Sequence, residues 1–241
     1  MMRDGSPPSR GLTAAVVPAG GLGRRMERRQ PKQYLSLDGA PLLVHTLRAL
    51  VASGRVSALV LAVPEDWLAT SRRVLQSYGL LNVTSVVAGG AERQESVWRG
   101  LQAIPESAQW VIVHDAVRPF IARELVGRVL AAARRHGAAI CGLPVRETVK
   151  RVGDHIVTST LDRDGLWLVQ TPQAFRRELL WEAHEKARRD RFLGTDDAVL
   201  VERLGARVAM VAGLPENIKI TTPEDLGLAR RWLARSVRRS R

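Results

Sequence analysis

The chain has 241 residues, with 37 Lys and Arg against 24 Asp and Glu, a formal net charge of +13. A 45% share of hydrophobic residues with 25% charged excludes wholesale disorder, and apolar stretches broken by Arg, Glu or Pro offer no transmembrane helix. Cys141 is the single cysteine, which excludes an internal disulfide and a cysteine-clustered metal site, and the cationic excess first suggests a polyanionic partner.

Residues 1–11 are rich in Ser, Pro, Gly and Arg and lack the apolar core of a signal peptide, so they read as a disordered leader. With no targeting signal and no disulfide, the expected compartment is the cytoplasm. One catalytic domain is expected over 12–235, followed by a basic tail at 236–241.

Along the chain, apolar strand-like runs at 13–17, 56–63, 83–88, 110–113, 138–143, 167–170 and 208–211 alternate with amphipathic helical patterns. The helices are expected at 42–51, 66–76, 93–103, 123–135, 177–188, 196–203 and 224–234. Continuous apolar runs suit strands covered on both faces. The alternation predicts an α/β fold: an open, mostly parallel, Rossmann-like sheet with helices on both faces. Gly137 and Gly205 are placed as helix stops, and Thr222-Pro223-Glu224-Asp225 carries the cap, proline and acids of a helix start. One stretch breaks the rhythm. Residues 146–164, with Val149, Val152, Ile156 and Val157 around Gly153-Asp154, read as a two-stranded excursion with a turn.

The first strand runs into Pro18-Ala19-Gly20-Gly21-Leu22-Gly23-Arg24-Arg25-Met26. Open α/β sheets bind ligands at the carboxyl ends of their strands, and glycines let backbone N–H groups approach a phosphate chain. No Gly-Lys-Ser/Thr ends this loop, which excludes a Walker loop, and Met26 stands where a dinucleotide fingerprint needs glycine. Arg24, Arg25, Arg28, Arg29 and Lys32 against Glu27 give a local net of +4. A tight turn followed by a solvated basic segment is the plain alternative.

With Pro31-Lys32-Gln33-Tyr34, this loop resembles the signature of the sugar-phosphate nucleotidyltransferases, closest to the 2-C-methyl-D-erythritol 4-phosphate cytidylyltransferases. Further matches follow in order: 89–97 (GGAERQESV), 114–119 (HDAVRP), 144–150 (PVRETVK), 161–167 (LDRDGLW), 170–173 (QTPQ), 195–197 (TDD) and 217–221 (NIKIT). The resemblance spans residues 14–232. It implies attack of a sugar-phosphate oxygen on the α-phosphorus of CTP, with departure of pyrophosphate. Two anions must be brought together, so catalysis is expected to rest on positioning and preorganised cations.

By the same resemblance, Arg25 and Lys32 are the expected stabilisers of the transition state. Arg163 and Lys219 are expected to hold the attacking phosphate, and Arg118, Thr148, Thr171 and Thr195 to line the sugar-phosphate side. Pro18, Ala19, Gly20, Gly21, Gly23, Gly90, Ala91, Ser96, Asp115 and Ala116 are expected to receive the nucleotide, with Asp115 beside Mg²⁺ or another divalent ion. Position 91 is often Asp in the family and position 20 often Ala, so a side-chain contact from Ala91 is not expected. The 146–164 arm implies a homodimer that lends Thr148 and Arg163 to its partner. Read from the residues alone, each has a plainer role open to it: surface charge for Arg25 and Lys32, a turn cap for Asp115, a bridge to Asp162 or Asp164 for Arg163, an edge-strand lysine for Lys219 and a helix cap for Thr195. His114 and Cys141 are expected to be packed strand residues, and the six tryptophans core or interface. The competing functions are a ribitol-phosphate cytidylyltransferase and, in another class, a basic nucleic-acid-binding protein. No specific nucleic acid and no membrane are expected as partners.

Overall fold

The computed structural model describes residues 11–20 and 30–239. The expected leader (except Gly11), the end of the tail, and Gly21, Gly23, Arg24, Arg25, Arg28 and Arg29 lie outside the described residues.

The strands are β1 Leu12–Pro18, β2 Ser36–Leu37, β3 Ala40–Pro41, β4 Ala58–Val63, β5 Thr84–Ala88, β6 Ala108–Val113, β7 Ala138–Pro144, β8 Val149–Gly153, β9 Ile156–Leu161, β10 Trp167–Arg176 and β11 Ala209–Ala212. The helices are α1 Leu42–Ala52, α2 Leu68–Ser77, α3 Arg93–Gln102, α4 Arg123–His136, α5 Arg177–Arg189, α6 Ala198–Glu202 and α7 Pro223–Arg239. Seven strands form the main sheet in the order β11-β7-β10-β6-β1-β4-β5. All pairs are parallel except those of β10, which runs antiparallel to both β6 and β7. The β2–β3 and β8–β9 pairs form two small sheets.

Central strand β1 shows why the runs are continuously apolar. Ala15 and Val17 face a core with Leu43, Leu47 and Leu50 of α1, Leu75 of α2 and Leu125 and Val129 of α4. Ala14 and Val16 face the opposite core, with Val97 and Leu101 of α3, Leu180 and Ala183 of α5 and Leu200 of α6. Successive side chains alternate faces, and here both faces are covered. A third cluster joins Leu226 and Ala229 of α7 to Leu35, Leu37, Leu42 and Val117.

Every expected strand and helix is present, with shifted ends. Strand β10 continues past Gln170, the end of the expected run at 167–170, to Arg176, and so passes through Pro172, which has no N–H to give to the ladder. The pairing with β7 shifts register between Gln170 and Ala174, and the proline sits at that irregularity. Helix α7 reaches Arg239, so residues 236–239 of the expected tail are helical. Asp225 Oδ2 accepts the backbone N–H groups of Thr221 and Thr222 at 2.8 and 2.9 Å, while the Asp225 N–H donates to Thr222 Oγ1 at 3.3 Å. This reciprocal cap starts α7 where the sequence indicates. Gly137 and Gly205 stop helices with φ of 87° and 77°. The β8–β9 turn is Asp154-His155, one residue beyond the expected centre. Both residues have positive φ (50° and 64°), as a two-residue hairpin turn of the favoured twist needs.

Candidate active site

The carboxyl ends of β1, β4, β5 and β6 meet at one edge of the sheet, where a cavity of about 400 Å³ opens. Beyond β1, the Ala19 N–H donates to the Ala62 carbonyl at 2.7 Å, and the Ala19 carbonyl accepts the side-chain amide of Gln33. Gln33 is buried in the short 3₁₀ turn Lys32–Tyr34, so this bond ties the turn bearing Lys32 to the end of β1. Beyond β5, the Gly89 N–H donates to the Val63 carbonyl at 2.6 Å. The Gly90 N–H donates to Ser96 Oγ at 3.1 Å, and that hydroxyl donates in turn to the Glu92 carbonyl at 3.2 Å. A Cβ on Gly89 would lie 2.8 Å from Ser96 Oγ and 3.4 Å from the Val63 carbonyl oxygen, so the loop closes tightly on α3 because position 89 is glycine.

Strand β6 delivers His114, Asp115 and Ala116 to the same edge. His114 is wholly buried. Its Nε2 lies 3.1 Å from the Arg118 carbonyl, which can only accept, so Nε2 carries the proton. Nδ1 therefore accepts from Thr171 Oγ1 at 3.0 Å, while that hydroxyl accepts the Asp115 N–H at 3.1 Å. Burial pushes the imidazole down to about 4, so it is neutral at pH 7. His114 is thus a packed strand-end residue that fixes the backbone of Asp115.

Asp115 is the electrostatic centre of the site. Its Oδ1 lies 3.2 Å from Arg93 Nε, and its Oδ2 lies 2.9 Å from Lys219 Nζ and 3.5 Å from Arg118 Nε. Burial alone would raise its pKa. The charges of Arg93, Lys219 and Arg118 outweigh burial and hold the carboxyl well below the usual range. Arg93 also reaches Asp197, with Nη1 2.7 Å from Oδ2, and Asp197 Oδ1 lies 3.1 Å from His184 Nε2. Burial lowers the Arg93 pKa, but the two carboxylates more than reverse this and keep the guanidinium charged.

Of the residues expected from the sequence, the structure gathers Pro18, Ala19, Gly20, Lys32, Gly90, Ala91, Asp115, Ala116 and Lys219 around the cavity. Others stand behind it. Ser96 is buried and its hydroxyl shapes the Gly90 loop instead of facing the cavity. Thr171 is buried and occupied by His114 and Asp115. Arg118 is buried and its Nη1 donates to the Asn217 carbonyl at 2.8 Å, on the loop that carries Lys219. Lys219 is not an edge-strand lysine, since it lies outside every strand. Thr195 is exposed and does not line the cavity, and Asp196, not Thr195, accepts the Val199 N–H at the start of α6. Thr148 and Arg163 are exposed just before β8 and just after β9, and neither lines this chain's cavity. Arg163 donates to the Arg146 carbonyl, not to Asp162 or Asp164.

Arg93, Gln33 and Asp197 were not singled out from the sequence. All three sit inside the motifs quoted there, but which members of a motif face a cavity depends on long-range folding. Cys141 is buried with its thiol pushed up to about 12 by desolvation, as a packed strand residue should be. Trp98 packs against Trp181 at 4.7 Å and Trp67 against Tyr34 at 4.4 Å, so these tryptophans serve packing.

A glycine-bearing loop at a strand end, a cationic pocket and a mostly parallel sheet with helices on both faces define an α/β fold of the nucleotidyltransferase type. Comparison with known proteins makes this particular. The model of the family described as IspD: 2-C-methyl-D-erythritol 4-phosphate cytidylyltransferase matches residues 13–235. The chain belongs to that family. It is 48% identical over 221 residues to the enzyme of that name from Syntrophus aciditrophicus (91% of this chain, 94% of the other) and 46% identical over 223 residues to that from Geobacter metallireducens (91% and 96%). Among solved structures, the 2-C-methyl-D-erythritol 4-phosphate cytidylyltransferase of Thermus thermophilus superposes with a TM-score of 0.77 at 39% identity, covering 91% of this chain and 98% of that one. The 4-diphosphocytidyl-2C-methyl-D-erythritol synthase of Anaerococcus prevotii gives 0.81 at 30% identity, covering 94% and 100%.

Proposed function

We propose that this chain transfers the cytidylyl group of CTP to 2-C-methyl-D-erythritol 4-phosphate, releasing pyrophosphate. The observation that carries the reading is the cavity itself, where Lys32, Arg93 and Lys219 converge on the glycine-bearing ends of β1 and β5. The attacking oxygen is already anionic, so the site needs no strong base. It needs cations placed where charge accumulates on the α-phosphate. Lys32 stands on the 3₁₀ turn that Gln33 ties to the end of β1, and there it would meet the triphosphate. Lys219, which also lines the cavity, would hold the phosphate of the sugar. Backbone groups of Ala19, Gly20, Gly90 and Ala91 face the base and ribose. Arg25 joins Lys32 in this reading through the family motif.

A magnesium ion belongs to the same reading as a companion of the triphosphate, where it would neutralise phosphate charge. Among the described residues there is no group of three or more His, Cys, Asp or Glu able to hold a metal. The donor set therefore suits an ion bound mainly through phosphate oxygens, and Asp115 is the carboxylate that would accompany it.

The homodimer is likewise proposed. Arm residues Val152, Ile156 and Val157 are 56%, 71% and 56% exposed, an apolar surface that a second copy would cover. Thr148 and Arg163 then enter the partner's sugar-phosphate side. Val152→Asp with Ile156→Asp should give monomers in sedimentation and loss of turnover. Dimers of full activity would refute this part.

The test of the function is pyrophosphate release from CTP with methylerythritol phosphate and, in parallel, ribitol phosphate. Turnover confined to ribitol phosphate would overturn the substrate assignment.

A further inference from the structure

Asp115 is shared by three cations that differ in their freedom to move. Arg118 is 10% exposed and tied to the loop behind, and Arg93 is 28% exposed, whereas Lys219 is 39% exposed on the cavity wall. Lys219 is the most exposed of the three and is a compact point charge on an unbranched, flexible stem, so it is the cation best placed to turn from Asp115 to an incoming anion. Arg93 is held differently. Its guanidinium spans two carboxylates, with Nε on Asp115 Oδ1 and Nη1 on Asp197 Oδ2. Asp197 and His184 are buried to within 1% of full occlusion, and the second oxygen of Asp197 accepts from His184 Nε2. Arg93 is also the first residue of α3, so its backbone is fixed as well.

We propose that Arg93 is a positioning residue: anchored from behind by the buried Asp197–His184 pair, it holds Asp115 inward, so that Lys219 can leave Asp115 for the incoming sugar phosphate. Without Arg93, Oδ1 of Asp115 loses its partner and the carboxylate turns outward onto Lys219. The lysine is then neutralised in the ground state by a competitor of the phosphate. This rests on the reading of Lys219 as a sugar-phosphate ligand.

The experiment is a kinetic cycle on the full chain: wild type, Arg93→Ala, Arg93→Lys, Lys219→Ala, the Arg93→Ala/Lys219→Ala double variant and Asp197→Asn. Each is first checked by thermal melting. Arg93→Ala should raise KM for the sugar phosphate on the order of tenfold, with a smaller change in KM for CTP. The double variant should show no further rise beyond Lys219→Ala, since the two changes remove one interaction. Arg93→Lys should not rescue, because one ammonium cannot span both carboxylates as the guanidinium fork does. Asp197→Asn keeps the shape of the anchor without its charge and should shift the same KM in the same direction, which carries the test if Arg93→Ala fails to fold. Equal rises in both KM values, additive effects in the double variant, or wild-type kinetics in Asp197→Asn would each overturn the proposal. Absence of wild-type turnover with any CTP and sugar-phosphate pair would instead sink the functional reading on which it rests.

Discussion

Replacing Asp115 by Asn tests the electrostatic account of the cavity. The change removes one negative charge and leaves its shape. Arg93 Nε at 3.2 Å and Arg118 Nε at 3.5 Å then face an uncharged amide, and Lys219 loses its partner at 2.9 Å. At an effective dielectric of about 20, unit charges about 3 Å apart interact with about 5 kcal/mol before desolvation is deducted. Stranding a buried partner costs about 3–5 kcal/mol in practice. Lys219 is half-exposed and adds about 0–1 kcal/mol. Together these give about 3–6 kcal/mol, and for a chain of this length each kcal/mol moves the melting temperature by about 2–4 °C, so Asp115→Asn should melt about 6–24 °C lower. The stranded cations should also bind an anion more readily. Pyrophosphate should therefore raise the melting temperature of Asp115→Asn more than that of the wild type. The assay is thermal melting followed by circular dichroism, with and without pyrophosphate. An unchanged melting temperature together with equal pyrophosphate shifts would refute the reasoning.

Lys32→Ala should lower turnover by about 10²–10³, as expected on losing one preorganised donor to a developing charge, and steady-state kinetics would check this. Gly89→Ala places a Cβ 2.8 Å from Ser96 Oγ, so the loop must shift and the measured KM for CTP should rise, while Val51→Ala on the exposed face of α1 should leave it unchanged. His114 is neutral in the fold with a pKa near 4 against an ordinary 6.5, so the unfolded chain binds more protons between those values. Stability from this group is complete above about pH 6.5 and falls as pH drops toward 4, by about 3 kcal/mol at most. His114→Gln should flatten that part of the pH–melting curve, and an unaltered slope would contradict the assignment. Cys141, buried with its thiol pushed up to about 12, should resist iodoacetamide at pH 8 in the native protein, and rapid alkylation would count against its burial.

The sheet was legible because its strands are covered on both faces: the run at 58–63 contains no polar residue, and the run at 13–17 only Thr13 at its start. What the sequence could not convey was direction and extent. Strand β10 is antiparallel and passes through Pro172, and neither fact has a local signature. For the site, the motifs marked the correct loops, since Gly20, Gly90, Asp115 and Lys219 meet within one cavity. The roles of individual side chains within those motifs were less visible. Ser96 and Thr171 have hydroxyls that look available in a linear reading, yet folding turns both onto backbone and imidazole partners. Arg93 resembles any solvated arginine until the start of α6 brings Asp197 beside it, 104 residues further along. The opening charge of +13 divides likewise. Six arginines fall within residues 230–241 and a net of +4 lies between Arg24 and Lys32, so a large share falls in two short stretches of the sequence.

The most direct measurement is pyrophosphate release with CTP, UTP, ATP and GTP, each offered methylerythritol phosphate as acceptor. The expected result is rapid release with CTP, much slower release with the other three, and a product carrying the cytidylyl group. No release with CTP and methylerythritol phosphate, under conditions where another nucleotide or acceptor reacts, would contradict the central claim.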